Sequence, residues 1–220
     1  MSRAIAVLRP EPGNRITAAA IEGRGRTALR LPLFETRPLA WTMPDPLAFD
    51  ALILTSANAV RLAGEALGGL RGLPVYAVGE ATASAARRAH FDVVAVGGAG
   101  AAALIEQAHT AGVRRALHLA GRERTLEAGG IIAQILPVYA SEALPVAHAD
   151  IAALAGTVAL IQSARAGERL AEIAQDRGAI VLAAVSHAAA AGAGNGWRAV
   201  AVAPRPETEA LIDTAIALSD

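Results

Sequence analysis

The chain of 220 residues contains no cysteine and no lysine. Without thiols there is no disulfide, no thiolate nucleophile, no iron-sulfur ligation and no cysteine-based zinc site. Without lysine there is no Schiff base to pyridoxal phosphate or to a carbonyl substrate, and no phosphate-binding P-loop lysine. All 20 basic residues are therefore arginine, and 20 acidic residues balance them. A net charge of zero gives no global attraction to nucleic acid or to an anionic membrane. The five histidines, His90, His109, His118, His148 and His187, show neither an HExxH nor an HxH spacing, so a helix-borne metal pair has no support. No apolar run approaches the roughly 18 to 20 residues that span a bilayer. Met1-Ser2-Arg3 leads straight into Ala4-Ile5-Ala6-Val7-Leu8 without the apolar region and cleavage site of a secretory leader. The expectation is a soluble, cytoplasmic protein.

What the chain does have is a repeated alternation of short apolar runs and helical patterns. Ala4 to Leu8 is apolar throughout, as suits a parallel strand covered on both faces, and it stops at Arg9-Pro10-Glu11-Pro12-Gly13. Asn14 is expected to cap a helix over 15–22, ended by Gly23 to Gly25. Further strands are expected at 51–56, 75–79, 93–96 and 116–119, and later at 157–162, 179–185 and 199–202. After the first of these, Val60, Ala63, Gly64 and Leu67 share one face of a predicted helix. Ala101, Leu104, Ile105 and Ala108 repeat that spacing, and a final helix runs from Thr208 to Leu218. Alternating strands and helices of this kind define an α/β architecture with parallel sheets.

Two stretches echo each other, Leu31-Pro32-Leu33-Phe34-Glu35-Thr36 and Leu136-Pro137-Val138-Tyr139-Ala140-Ser141. Each carries a proline that suits an edge or isolated strand. They read as the two crossings between two domains, the first spanning Thr27 to Thr36. The segment Ser56-Ala57-Asn58-Ala59 resembles Ser163-Ala164-Arg165-Ala166, and Ala77-Val78-Gly79-Glu80-Ala81 resembles Ala184-Val185-Ser186-His187-Ala188. Both pairs are offset by 107 positions, which points to two similar halves. The chain is then expected to leave one domain, build the other completely and return. That gives a discontinuous first domain over 1–30 and 146–220, a second over 40–132, and linker strands at 31–39 and 133–145. The expected ligand position is the gap between the carboxyl ends of the two sheets.

Those carboxyl ends share a chemistry. Arg9, Ser56, Gly79, Gly121, Ser163 and Ser186 all fall where a strand gives way to a helix. Helix N-termini supply unpaired backbone N–H groups and the positive end of the helix dipole, which suit carboxylates and phosphates. Each serine is equally suited to capping its helix, and capping is compatible with ligand contact.

In Arg9-Pro10, Leu54-Thr55-Ser56-Ala57-Asn58-Ala59-Val60, Ala77-Val78-Gly79-Glu80-Ala81-Thr82-Ala83, Gly121, Val138-Tyr139, Ser163, Ser186 and the closing Val202 to Leu211, the chain resembles the uroporphyrinogen-III synthases of tetrapyrrole biosynthesis. The resemblance runs over nearly the whole chain. It implies two flavodoxin-like domains on a two-stranded linker, a monomer without cofactor or metal, and a reaction that cyclises hydroxymethylbilane to uroporphyrinogen III with inversion of ring D and loss of water. It also implies a hand-over of substrate from the upstream deaminase. The chain departs from the family at Leu8, Ala120 and Ala140, where Thr, Arg and Arg are frequent, and at His187, where Pro follows the serine.

The resemblance assigns roles residue by residue. Tyr139 matches the linker tyrosine and is the candidate to assist departure of the substrate hydroxyl by donating a proton or hydrogen bond. Thr82, Ser56, Asn58, Gly79, Gly121, Ser163 and Ser186 become substrate contacts, many through backbone. Arg9, Arg122 and Arg124 suit the acetate and propionate groups. The task is mainly geometric, because the azafulvene left after dehydration closes spontaneously to the uninverted isomer, so the enzyme must select the conformer that reacts through a spiro intermediate.

Two other readings compete. Gly98-Ala99-Gly100-Ala101-Ala102-Ala103 matches a dinucleotide-binding GxGxxA, but the strand at 116–119 gives way to Ala120-Gly121-Arg122 before Glu123, so the expected acidic strand end is missing. A non-catalytic two-domain module that closes on an anionic metabolite uses the same surfaces.

Overall fold

The computed structural model describes residues 2–124 and 126–220, so Thr125, which closes the segment after Gly121, lies outside the described residues. In chain order the elements are β1 (Ile5–Val7), α1 (Gly13–Glu22), β2 (Ala28–Arg30), β3 (Phe34–Pro38), β4 (Ala51–Leu54), α2 (Ala57–Leu62), β5 (Val75–Ala77), α3 (Glu80–Arg88), β6 (Val93–Val96), α4 (Ala101–Thr110), β7 (Ala116–Gly121) and β8 (Ile132–Ala143). They continue with α5 (His148–Ala152), β9 (Val158–Ile161), α6 (Ala164–Ile173), β10 (Val181–Ala184), α7 (His187–Ala193), β11 (Ala199–Val202) and α8 (Thr208–Ser219). Two compact units result, one of Met1–Glu35 with Glu142–Asp220, the other of Thr36–Ser141.

The first unit holds a sheet in the order β11-β10-β9-β1-β2 with every described pairing parallel. Residues of β1, β9 and β10 are buried on both faces. Ala6, Ala159 and Leu182 face a core closed by α6 and α7, and Ile5, Val158 and Val181 face one closed by α1 and α8. Burial on both faces is why these strands read as unbroken apolar runs. Helices α6 and α7 meet backbone to backbone. A β-carbon built on Gly192 would stand 2.4 Å from the Ala164 carbonyl oxygen, and one on Gly167 would stand 2.6 Å from the Ala193 nitrogen.

The second unit holds a sheet in the order β3-β8-β7-β4-β5-β6. Strands β4 to β8 run parallel. The Leu39 N–H donates to Val138 and the Leu144 N–H to Leu33, so β3 and β8 pair in opposite directions. Leu52, Leu54, Leu117 and Leu119 face α2 and α3, whereas Ala51, Ile53 and Ala116 face α4.

Three local expectations need correction. Asn14 does not cap α1, whose N-cap is Pro12; its buried amide instead donates to the carbonyls of Val7 at 2.7 Å and Arg9 at 3.1 Å. The helix expected through Leu67 ends at Leu62, because Gly64 takes φ of +71° and a 3-10 turn follows over Glu65–Leu70. That left-handed backbone cannot continue an α-helix, although the apolar spacing continues past it. Within Thr27 to Thr36 the chain does pass from the first sheet to the second, in two strands, β2 and β3. Pro137 lies in a strand flanked on both sides, where a register shift sets Ala120 opposite Pro137 and Gly121 opposite Tyr139. A bulge accommodates a residue that cannot donate to the ladder.

One buried side chain is expected to make the second unit acid-sensitive. His118 on β7 is 1% exposed, and its Nδ1 meets the Ile53 carbonyl at 3.0 Å, while Nε2 is buried with no hydrogen-bond partner among the described residues. The carbonyl accepts, so the neutral ring donates from Nδ1, and protonating Nε2 would bury an unpaired cation. Burial therefore lowers the imidazole below its usual 6.5, the Ile53 bond offsets part of this, and Arg124 adds to the lowering. A group with a lowered folded pKa contributes stability that is complete above the unfolded value and is lost as pH falls through the folded one. Urea midpoints of the wild type are expected to fall as pH drops below 6.5. The His118→Leu variant should lose less over the same window, and an equal decline in both proteins would contradict this origin. Asp50 behaves alike further down, because the backbone N–H groups of Arg114 and Arg115, each at 2.9 Å, hold its carboxyl below the usual 3.8.

Candidate functional site

In the second unit the sequence-predicted residues converge on the carboxyl edge of adjacent strands. Leu54 stands opposite Leu119 on one side and Ala77 on the other, so the loops after β7, β4 and β5 lie side by side. They bring Gly121, Ser56 and Gly79 to one edge. Ser56 caps α2, its Oγ accepting the Asn58 N–H at 3.2 Å, and the Asn58 side chain accepts from Arg61. Gly79 is the N-cap of α3 in extended backbone, with open space where a side chain would stand. Thr82 is 5% exposed in the first turn of α3, with its N–H bonded to the Gly79 carbonyl at 3.0 Å.

Tyr139 reaches this edge from β8. Its ring lies against Gly121, where a β-carbon would stand 2.8 Å from Cζ and 3.0 Å from the hydroxyl oxygen. Only glycine leaves room for the ring in this place. The Tyr139 carbonyl accepts the Arg122 N–H at 2.8 Å, and two residues on, the Ser141 N–H donates to the Glu123 carboxylate at 2.9 Å. Arg122 also meets Glu123 at 3.2 Å, and Arg124 donates to the Arg122 carbonyl at 3.1 Å. Both arginines are exposed.

In the first unit Arg9, Ser163 and Ser186 follow β1, β9 and β10, which are neighbours in the sheet. Ser163 caps α6 through the Ala166 N–H at 3.1 Å, and Ser186 caps α7 through the Ala189 N–H at 3.2 Å. The Arg9 guanidinium lies over Gly13 and reaches Thr17 at 3.5 Å. His187 is the exposed first residue of α7. Each unit thus presents one edge of helix N-termini, and Ser56 and Ser163 hold equivalent places in it.

Sequence reasoning misses two groups. Glu123 enters it only as an acidic residue too late to be a dinucleotide ligand, yet it braces the strand that carries Tyr139. Arg165 is the counterpart of Asn58 under the 107-residue offset, a signal present in the repeat. It stacks on Phe34, with its guanidinium carbon 4.4 Å from the ring centroid. Phe34 and Arg165 line a cavity of about 210 Å³ together with Ala143, Glu168, Arg169 and Glu172. Binding sites for drug-sized ligands run from about 300 to 1,000 Å³, so this one has room for a pendant group at most. The described residues contain no cluster of three or more His, Asp or Glu arranged to hold a metal ion. No helix among them is long and apolar enough to cross a membrane.

Two units, the first discontinuous and parallel in its sheet, the second parallel except for β3, each with capped helices along one carboxyl edge and a tyrosine laid on a glycine in the second, define a two-domain α/β protein. The chain belongs to the uroporphyrinogen-III synthase HemD family, whose model matches residues 16–213. Among solved structures it is similar to uroporphyrinogen-III synthetase from Helicobacter pylori 26695, with 20% identity, 99% of this chain and 100% of that chain covered, and a TM-score of 0.69. It is also similar to a mutant uroporphyrinogen III synthase from the extremely thermophilic bacterium Thermus thermophilus, with 20% identity, 99% of each chain covered and a TM-score of 0.56. At these identities the likeness establishes a shared fold. A search of curated proteins finds no match.

Proposed function

We propose that this enzyme of tetrapyrrole synthesis is a cofactor-independent lyase that closes hydroxymethylbilane to uroporphyrinogen III. Membership of the synthase family over 16–213 carries this reading. The C–O bond of the hydroxymethyl group breaks, the electron pair leaves with oxygen, and a proton from the Tyr139 hydroxyl completes the departing water. The substituted carbon of ring D then attacks the azafulvene, and the spiro intermediate fragments and recloses with the ring inverted. The pyrrole that loses a proton as the macrocycle closes returns one to the phenolate. No metal, redox or carrier step is required by this balance.

The rest is orientation. The N–H groups at the starts of α3 and α6, with Ser56, Asn58, Gly79, Thr82, Ser163 and Ser186 beside them, are proposed to hold the tetrapyrrole, and Arg9, Arg122 and Arg124 its carboxylates, while Gly121 acts through the Tyr139 ring that lies on it. Because Arg122 and Arg124 are exposed, each is worth little individually. Arg124→Ala is expected to raise KM about 3- to 5-fold with kcat unchanged, the signature of binding energy shared by ground and transition states. A fall in kcat at constant KM would contradict that role.

The test of the proposal uses protein treated with a chelator and freshly generated hydroxymethylbilane. Consumption well above the spontaneous rate, unaltered by added divalent metal, is expected; consumption at the spontaneous rate by folded protein would overturn it and favour a closing binding module.

A further inference from the structure

We propose that Gly121 and Glu123 are positioning residues that set where the Tyr139 hydroxyl points; this rests on the reading of Tyr139 as the proton donor. Three contacts converge on that tyrosine from the end of β7. Gly121 leaves its side-chain space to the ring, whose Cζ and hydroxyl oxygen would stand 2.8 Å and 3.0 Å from an added β-carbon. The Arg122 N–H holds the Tyr139 carbonyl at 2.8 Å. The Glu123 carboxylate accepts the Ser141 N–H at 2.9 Å, which ties down the backbone just beyond the tyrosine.

Each contact has a distinct physical job. The register shift between Ala120 and Gly121 breaks the regular ladder where Tyr139 sits, so the backbone there lacks the constraint of continuous strand pairing. Glu123 restores it with a charge-assisted bond to a backbone N–H. Gly121 then selects the rotamer, because any larger residue would drive the ring off the strand end. A proton donor displaced by about 1 Å can lose on the order of 100-fold in rate, so this bracing bears on turnover and leaves substrate affinity alone.

The chain has two tyrosines, Tyr139 and the buried Tyr76 on β5. Ring-labelled tyrosine NMR therefore resolves Tyr139 with an internal reference. In Gly121→Ala the Tyr139 ring signals are expected to shift while those of Tyr76 stay. Turnover should fall about 10-fold or more with KM within twofold, and adding Tyr139→Phe should cost nothing beyond Tyr139→Phe alone. Glu123→Ala should show the same pattern more weakly, and Glu123→Gln, which keeps an acceptor for Ser141, should regain most of the rate. Should Gly121→Ala fail to fold, the exposed Glu123 variants carry the same comparison. Unmoved Tyr139 signals in folded Gly121→Ala and Glu123→Ala would overturn the positioning role even if the wild type proves to be a synthase. Losses that multiply with Tyr139→Phe would overturn the route through the hydroxyl. A wild type that forms no type III product sinks the synthase reading instead, while the ring signals still decide whether Gly121 and Glu123 position the tyrosine.

Discussion

Tyr139→Phe is expected to lower kcat about 100-fold, the low end of what a positioned general acid contributes, with KM and folding unchanged. The substitution removes one oxygen and keeps the ring that packs on Gly121 and against the core cluster that holds Leu119 and Val138. The backbone bonds on either side, from Arg122 to the Tyr139 carbonyl and from Ser141 to Glu123, do not involve the hydroxyl. Single-turnover kinetics with generated hydroxymethylbilane, beside a urea titration, separates the two effects. Wild-type turnover in the folded variant would remove the hydroxyl from the reaction and leave conformer selection as the whole of catalysis.

Gly192→Ala is expected to lower stability by about 3 kcal/mol or more, at the upper end of overpacking costs because the clash is with backbone rather than a movable side chain. The added carbon would lie 2.4 Å from the Ala164 carbonyl oxygen and 2.6 Å from its Cα. Helices α6 and α7 would have to part, and Ser163 and Ser186 cap these two helices. Loss of stability should therefore come with a raised KM in whatever fraction stays folded. Gly72→Ala, with nothing within 4 Å of the added carbon, is the control. Its unfolding free energy from a urea titration should stay within about 0.5 kcal/mol of wild type. A Gly192→Ala protein as stable as this control would contradict the backbone contact.

The parallel α/β class was legible because strands such as Ile5–Val7 and Val158–Ile161 are covered on both faces, so burial writes itself into the sequence as an unbroken apolar run. Edge strands were legible for another reason: β6 and β11 stand between clear turn and helix signals, although Val94, Val96 and Val200 are exposed. The break at Gly64 was not legible, since Leu67 keeps helical spacing through a turn whose cause is one backbone angle. Asn14 looked like a cap because asparagine favours that place, whereas its amide closes the β1 end by bonding Val7 and Arg9.

At the site, Ser56, Ser163 and Ser186 were readable from strand-to-helix transitions, and all three cap the helix that follows. Tyr139 stood out as the one hydroxyl aromatic of the echoing crossing stretches, whereas its role as proton donor came from the family resemblance. Glu123 escaped because its partner is the backbone of Ser141, 18 residues on, and long-range bonds to backbone leave no local pattern. Arg165 could have been found, since the repeat aligned it with Asn58, but the change from amide to guanidinium hid a shared position.

The most direct test of the synthase reading is the isomer made from freshly generated hydroxymethylbilane by the purified protein, oxidised and separated into type I and type III uroporphyrins. Predominant type III is the predicted result, since only an enzyme that steers ring D through the spiro intermediate gives it. Type I alone, from protein shown to be folded, would contradict the account.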